Sequence, residues 1–340
     1  MTDKWSIFHQ EINKGSEMLN NYTGFDVIGD IHGHASALEN LLKKMGYAKR
    51  DGVWRHPERL AVFVGDYVDR GCENIRTCRI VMDMQATGAA RAIMGNHDFN
   101  CLAFHTKVLG KSDEYLRPHT EKNLGQTEKT RAEFNKHPDD KRAVLKWMKT
   151  LPLWLELTGL RVVHAFWSPK DQATLKRYLA EDNSIIWEDF PKLAKGEEAK
   201  SKVGNARSHL LSGPEHALPD GISITDAERN KRTEVRLKWW NFDKLPMSLR
   251  ELADVPPKDL HKIPDETISS LDCLNLPEAR PDTDSRPVIF GHYWMKPDEL
   301  FLGPRHVCVD ASVAKGGKLA AYRFSGESEL SPDNLVFSCK

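Results

Sequence analysis

Cysteine is scarce in this chain: six among 340 residues, at positions 72, 78, 101, 273, 308 and 339, with no closely spaced CxxC pair. A disulfide framework is therefore excluded, and the thiols read as reduced, in a cytoplasmic setting. Charge of one sign is equally lacking, since Lys plus Arg and Asp plus Glu both number 49. That balance excludes bulk electrostatic attraction to nucleic acid or to an anionic membrane, and any anion recognition must be local. No apolar run approaches the length that spans a bilayer. The opening stretch MTDKWSIFHQEINKG carries acidic residues and no apolar core, so neither an anchor nor an export leader is expected. Internal repeats and low-complexity tracts are also missing.

What is present is ample core material: 40% hydrophobic residues, with 9 Trp and 13 Phe, enough for one large domain over residues 1–340. The first hundred residues alternate short apolar runs with helical patterns, the mark of βαβ units and a largely parallel sheet. Strands are expected at 25–29, 60–64 and 90–94. Between them, Ala37, Leu38, Leu41, Leu42 and Met45 recur at helical spacing, and Ile75, Cys78, Ile80 and Met82 do so less cleanly. Residues 106–150 turn polar before Ala143, Val144, Trp147 and Met148 restore a helical face, and read as a solvent-exposed helical excursion. Two strands, 154–157 and 160–163, flank Thr158-Gly159 as a hairpin. Residues 168–286 are rich in Pro and charge and poor in periodicity, so an insertion over the sheet edge without a core of its own is expected. Strands resume at 288–290, 306–309 and 319–324.

Three of the strands run into polar clusters of the same kind, first Gly29-Asp30-Ile31-His32-Gly33, then Gly65-Asp66-Tyr67-Val68-Asp69-Arg70-Gly71, then Gly95-Asn96-His97-Asp98. Glycine after an apolar strand lets the backbone turn sharply and frees the next side chain to face a cleft. In open α/β sheets, ligands bind at that carboxyl edge. His164 after Arg161-Val162-Val163, and His292 after Ile289-Phe290-Gly291, repeat the arrangement. Mixed carboxylate, imidazole and amide donors suit Mn, Fe or Zn better than Ca or Mg, which favour oxygen alone. The set is large enough for two ions.

These motifs, DIHG, GDYVDRG, GNHD and the later His and Gly-His, stand in the order found in the calcineurin-like metallophosphoesterases, and the chain resembles that family, in particular its phosphoprotein phosphatase branch, which also holds the bacterial symmetric dinucleoside tetraphosphatases. The resemblance implies an α/β fold, a four-layer αββα sandwich with helical and irregular insertions. It also implies two divalent ions, Mn²⁺ first with Fe or Zn as alternatives. By motif position, Asp30 and His32 hold the first, Asp66 bridges, and Asn96, His164 and His292 complete the second. A carboxylate bridge suits ions about 3.5–4 Å apart, which share one activated water and polarise the phosphoryl oxygens. His97 then matches the general acid, Asp69 its carboxylate partner and Arg70 the phosphate clamp. A second arginine is sought in the 232–236 stretch.

Two departures stand out: GNHD where the branch has GNHE, and Tyr293-Trp294 after Gly291-His292. The implied activity is hydrolysis of phosphate monoesters, with a serine/threonine phosphatase as one form of it. The alternative is a dinucleoside polyphosphate hydrolase of the diadenosine tetraphosphate type. The partner is accordingly a phosphoprotein, a small phosphoester or a nucleotide. A silent scaffold of this fold would be expected to have lost ligands or the acid, which this chain keeps. His34 reads as a helix N-terminal residue, Trp239-Trp240 as packing, the run 195–202 as a solvated helix face, and His105, His119 and His137 as surface residues.

Overall fold

The computed structural model describes residues 22–196, 201–225, 231–274 and 284–339. The opening segment and part of the charged run 195–202 lie outside them. Nine strands build two sheets: β1 (Gly24–Ile28), β2 (Arg59–Phe63), β3 (Ala90–Ala92), β4 (Trp154–Leu157), β5 (Leu160–Val163), β6 (Val288–Phe290), β7 (His306–Cys308), β8 (Ala320–Phe324) and β9 (Leu335–Phe337). The first sheet has the order β9-β8-β1-β2-β3 and the second β7-β6-β5-β4. Strands β1, β2 and β3 are mutually parallel, as are β5, β6 and β7, so each sheet sends several strand ends to one edge.

Period-two alternation explains why the sheets stack. Phe25, Val27, Leu60, Val62, Leu160, Val162, Ile289 and Val307 share one apolar cluster between the sheets. Their neighbours Ile28, Ala61, Phe63, Val163, Phe290 and Cys308 belong to the cluster beneath the helices. Both faces of each sheet are thus apolar, which forces a sandwich covered by helices on its outside. The result is the four-layer αββα arrangement.

Helices α1 (Ala35–Lys44) and α2 (Asn74–Ala86) connect β1 to β2 and β2 to β3. The buried face of α2 is Ile75, Cys78, Val81 and Met84, whereas Ile80 and Met82 are only partly buried. The expected helix is there with a different register, because partly buried apolar residues beside the stripe obscure it. Strand β9 was not expected. Its three residues are half-buried at the sheet edge and too short to show a pattern.

After α3 (Asn96–His105), three helices fill the polar stretch: α4 (Glu121–Gln126), α5 (Glu128–Lys136) and α6 (Pro138–Met148). They are not merely solvent-exposed: Thr127, Thr130, Phe134, Val144 and Met148 are buried. Within 168–286, α7 (Pro169–Leu175), α8 (Phe190–Gly196) and α9 (Lys202–Ser212) join the main core. The remainder corrects the expectation of a coreless insertion, since Leu218, Ile224, Val235, Leu237, Leu249, Leu252, Ile263 and Ile268 form a small apolar cluster of their own. Irregular spacing hid it, as 3₁₀ turns and two-residue strands bring these residues together. Trp239 and Trp240, 6% exposed each, pack on Phe290 in the main core.

Among the described residues no helix is long and apolar enough to cross a membrane, and all six cysteines are free.

Candidate metal centre

Register places the site. Val163 and Phe290 are partners in the parallel β5/β6 pair, and the Gly291 N–H donates to the His164 carbonyl at 2.9 Å, so His164 and His292 leave adjacent strand ends. In the other sheet, Ile28, Phe63 and Ala92 are in register, and Asp30, Asp66 and Asn96 follow them. All six expected ligands therefore emerge at strand ends, three from one sheet and two from the other, with His32 on the first loop.

The loops are held in conformations that non-glycine residues seldom adopt. His32, Asp66, Asp69, Arg70 and His292 have φ of 47, 55, 71, 68 and 64°. Such strain persists only where the surroundings over-determine it, and it concentrates at functional sites. Glycine is required where backbones meet the carboxylates. A Cβ on Gly95 would lie 2.2 Å from Asp66 Oδ1, and one on Gly291 2.1 Å from Asp30 Oδ1.

Asp66 is the centre. Its Oδ2 lies 3.5 Å from His32 Nε2 and its Oδ1 3.5 Å from His164 Nε2. The Nδ1–H of His32 donates to the Val68 carbonyl at 3.0 Å and that of His164 to the Val64 carbonyl at 2.8 Å. A carbonyl only accepts, so both rings present a bare lone pair at Nε2. His164 Nε2 also lies 3.1 Å from Asn96 Oδ1, which His292 Nδ1 approaches at 3.0 Å. His292 Nε2 is buried without a hydrogen-bond partner. Lone pairs converging on a carboxylate in a buried site repel one another unless a cation lies among them. Two groups of donors within 4.8 Å result: His32, Asp66 and His97, and Asp66, His164 and His292. Asp30 is in neither. Its carboxylate takes the His292 N–H at 3.1 Å and is hydrogen-bonded to Asp310.

Electrostatics separates the imidazoles into two kinds. Burial lowers the pKa of His32 to about 4, and lowers those of His164 and, strongly, His292. Neutral rings are what metal ligation needs. For His97, burial also pulls downward, but the Asp66 charge and the Asp69 hydrogen bond and charge outweigh it, with Arg70 opposing, and the pKa is raised. Its Nδ1–H donates to Asp69 Oδ2 at 2.7 Å. Although His97 lies within reach of His32 and Asp66, its pKa moves the opposite way from those of the other three rings. Burial would raise Asp66, yet His164, His97 and His32 together hold it below the ordinary range.

One residue beside the site, Asp310, escaped the sequence reading, and the structure fixes the place of several others. Asp310, just beyond β7, is buried against Asp30, and burial pushes its pKa up to about 7. Nothing in Cys308-Val309-Asp310 signals this, because the contact joins two distant parts of the chain. From the 232–236 stretch it is Arg236 that reaches the site: its charge lowers the pKa of His292 and His164, and its guanidinium lies 5.5 Å from the Tyr293 ring. Its Nε is buried without a hydrogen-bond partner. Asp98 accepts the N–H groups of Gly95, Asp66 and Tyr67 at 2.9, 2.8 and 3.1 Å, so the shorter carboxylate of the GNHD motif ties the second loop to the third. His34 leads into α1 with its Nδ1–H on the Ile31 carbonyl at 3.0 Å. His105, read as a surface residue, is half-buried beside Phe134, with its pKa lowered to about 4 by burial.

Helix α5 braces the loop that carries Asp69. The Thr130 hydroxyl donates to Asp69 Oδ1 at 2.7 Å and accepts the Asp69 N–H at 3.0 Å, while Lys129 Nζ donates to the Arg70 carbonyl at 2.6 Å. Glu133 accepts the N–H groups of Asn74 and Ile75 at 2.9 and 3.0 Å. Thr130→Val keeps the shape and strips both Asp69 contacts, leaving a buried N–H unpaired. A loss of about 1–3 kcal/mol in denaturant unfolding is expected, and unchanged stability would show that water replaces the hydroxyl.

A family model described as calcineurin-like phosphoesterase matches residues 24–244. The asymmetrical bis(5'-nucleosyl)-tetraphosphatase PrpE of Bacillus subtilis is 34% identical over 149 residues, 42% of this chain and 57% of that protein. The symmetrical bis(5'-nucleosyl)-tetraphosphatase of Vibrio cholerae is 30% identical over 162 residues, 47% of this chain and 51% of that protein. The chain thus spans about half the length of these curated relatives. Among solved structures, a serine/threonine phosphatase from Saccharomyces cerevisiae aligns with a TM-score of 0.44 at 14% identity, covering 95% of this chain and 85% of its own.

Proposed function

The chain belongs to the calcineurin-like phosphoesterase family, and on that premise we propose that it hydrolyses phosphate monoesters with the help of two divalent ions. The observation that carries this is the division of imidazoles around Asp66: burial lowers the pKa of three, while Asp66 and Asp69 raise that of the fourth. Asp30, His32 and Asp66 would hold one ion, and Asp66, Asn96, His164 and His292 the other. When bound, the ions supply Lewis-acid polarisation of phosphoryl oxygens and a water acidic enough to attack at neutral pH. Manganese, and a cytoplasmic setting, are part of the proposal.

The chain's own groups do the rest. With Nδ1–H engaged by Asp69, His97 gives its Nε2 proton to the leaving oxygen. Arg70 stands close enough to His97 for its charge to lower that ring's pKa, and Arg236 enters from the insertion side. Two planar guanidiniums clamp the non-bridging oxygens and stabilise their growing charge.

The names of the relatives favour a second reading, cleavage of a dinucleoside polyphosphate. Metal-stripped protein resupplied with Mn²⁺ is the test, with p-nitrophenyl phosphate, a phosphoserine peptide and diadenosine tetraphosphate in parallel. Metal-dependent phosphate release from the monoesters is the expected result. Selective splitting of the dinucleotide would replace the first reading by the second, and no turnover of any with metal bound would overturn both.

A further inference from the structure

The described residues leave few large apolar side chains exposed: Leu109, Ile186 and one aromatic, Trp294, at 48%. Trp239 and Trp240, read as packing residues, are indeed buried in the core. Trp294 is two residues beyond His292, and two residues of chain span at most about 7 Å. Its loop is fixed to the site. The Met295 N–H donates to the Asp310 carbonyl at 3.0 Å, the Ser312 N–H donates to Asp310 Oδ1 at 2.9 Å, and the Ser312 hydroxyl donates to the Met295 carbonyl at 3.3 Å. Asp310 is the acid buried against Asp30.

A cation completes the arrangement. Lys315 Nζ lies 2.7 Å from the centroid of the Trp294 ring, and its charge is felt at Asp310. An indole half open to solvent, with an ammonium against it, therefore sits on a braced loop two residues beyond His292. Each part answers one half of a nucleotide. The ring offers a face to a planar base, and the ammonium offers positive charge to the phosphate chain.

We propose that Trp294, with Lys315, is a specificity-determining platform that stacks the nucleobase of a nucleoside polyphosphate whose phosphoryl group enters the metal cleft. The inference rests on the phosphoester-hydrolysis reading for the position of the cleft. It assigns two residues to recognition of the base, favouring nucleotides over base-free phosphoesters.

The test uses the Mn²⁺-loaded chain, Trp294→Leu and Trp294→Phe, with diadenosine tetraphosphate and the base-free β-glycerophosphate as substrates. Trp294→Leu is expected to raise KM for the dinucleotide roughly tenfold, the scale of one lost base–aromatic stack. It leaves kcat/KM for β-glycerophosphate unchanged, and the phenyl ring of Trp294→Phe recovers most of the loss. Equal losses on both substrates, or none on either, overturn the platform. Calorimetric titration of ADP into the same three proteins decides the matter independently of turnover. Affinity that falls roughly tenfold only in Trp294→Leu supports the stack, and equal or undetectable binding in wild type and variant overturns it. Absence of all hydrolysis would count against the cleft reading alone.

Discussion

Replacing Asp66 by Asn lowers turnover by a factor of about 10³–10⁴, because the change removes the several kcal/mol that ion-assisted charge stabilisation supplies. Asp66 is the one carboxylate common to both donor groups, with an oxygen facing His32 and the other facing His164. The same change should destabilise the metal-free protein, because a carboxyl held below the ordinary range is one whose charge the folded chain favours. Repulsion from Asp30, Asp98 and Asp310, whose pKa values the Asp66 charge raises, offsets only part of that attraction. An amide keeps the oxygen that accepts the His97 N–H, at 2.8 Å in the parent, and drops the charge. Melting of the metal-free variant is expected to fall by about 1–2 °C for each kcal/mol of attraction lost. A metal-free variant that melts higher would show that carboxylate repulsion outweighs the imidazoles, and one that keeps activity would sink the shared-carboxylate arrangement.

The second large effect belongs to His97. His97→Asn should lower kcat on a phosphoserine peptide by about 10²–10⁴, the usual contribution of a positioned acid. With p-nitrophenyl phosphate the loss should be smaller, since that leaving group departs without a proton. Equal losses on the two substrates would show that the ring acts otherwise than as an acid. The pH dependence has a definite sign. The groups facing His97 are Asp66 and Asp69, which favour its imidazolium, and Arg70 and His32, which oppose it. Activity that needs the protonated ring falls as pH rises through its pKa. Asp69→Asn removes a favouring charge and hydrogen bond, lowers that pKa and shifts the basic limb of the rate profile toward lower pH. A limb that stays in place would assign it to another group.

How much of this was legible in the sequence follows from the reach of each interaction. Strand ends that run into Gly and a polar residue are local, so the loops carrying Asp30, Asp66, Asn96, His164 and His292 could be read directly. The hairpin at Thr158-Gly159 was readable for the same reason, and Gly159 has φ of 76°. Asp310 and Thr130 could not be read. Their partners, Asp30 and Asp69, lie far off along the chain, and only sheet order and helix packing bring them near. The 232–236 stretch was locatable by its charge, but the choice of Arg236 depends on Tyr293 lying under it. The insertion's own core was illegible because its apolar residues follow neither a helical nor a strand period.

The donors are divided between the two sheets: Asp30, Asp66 and Asn96 leave one, His164 and His292 the other. An ion held by both sides is then a rivet through the sandwich as well as a reagent. By mass action, any ion that binds only the folded chain adds stability that grows with its free concentration, about 2.7 kcal/mol at a hundredfold excess over Kd. Neutralising the buried carboxylates acts in the same direction. Resistance to heat and to proteolysis would then gauge ion supply, and chelation is expected to loosen the joint between the sheets at the edge where the strained loops are stored.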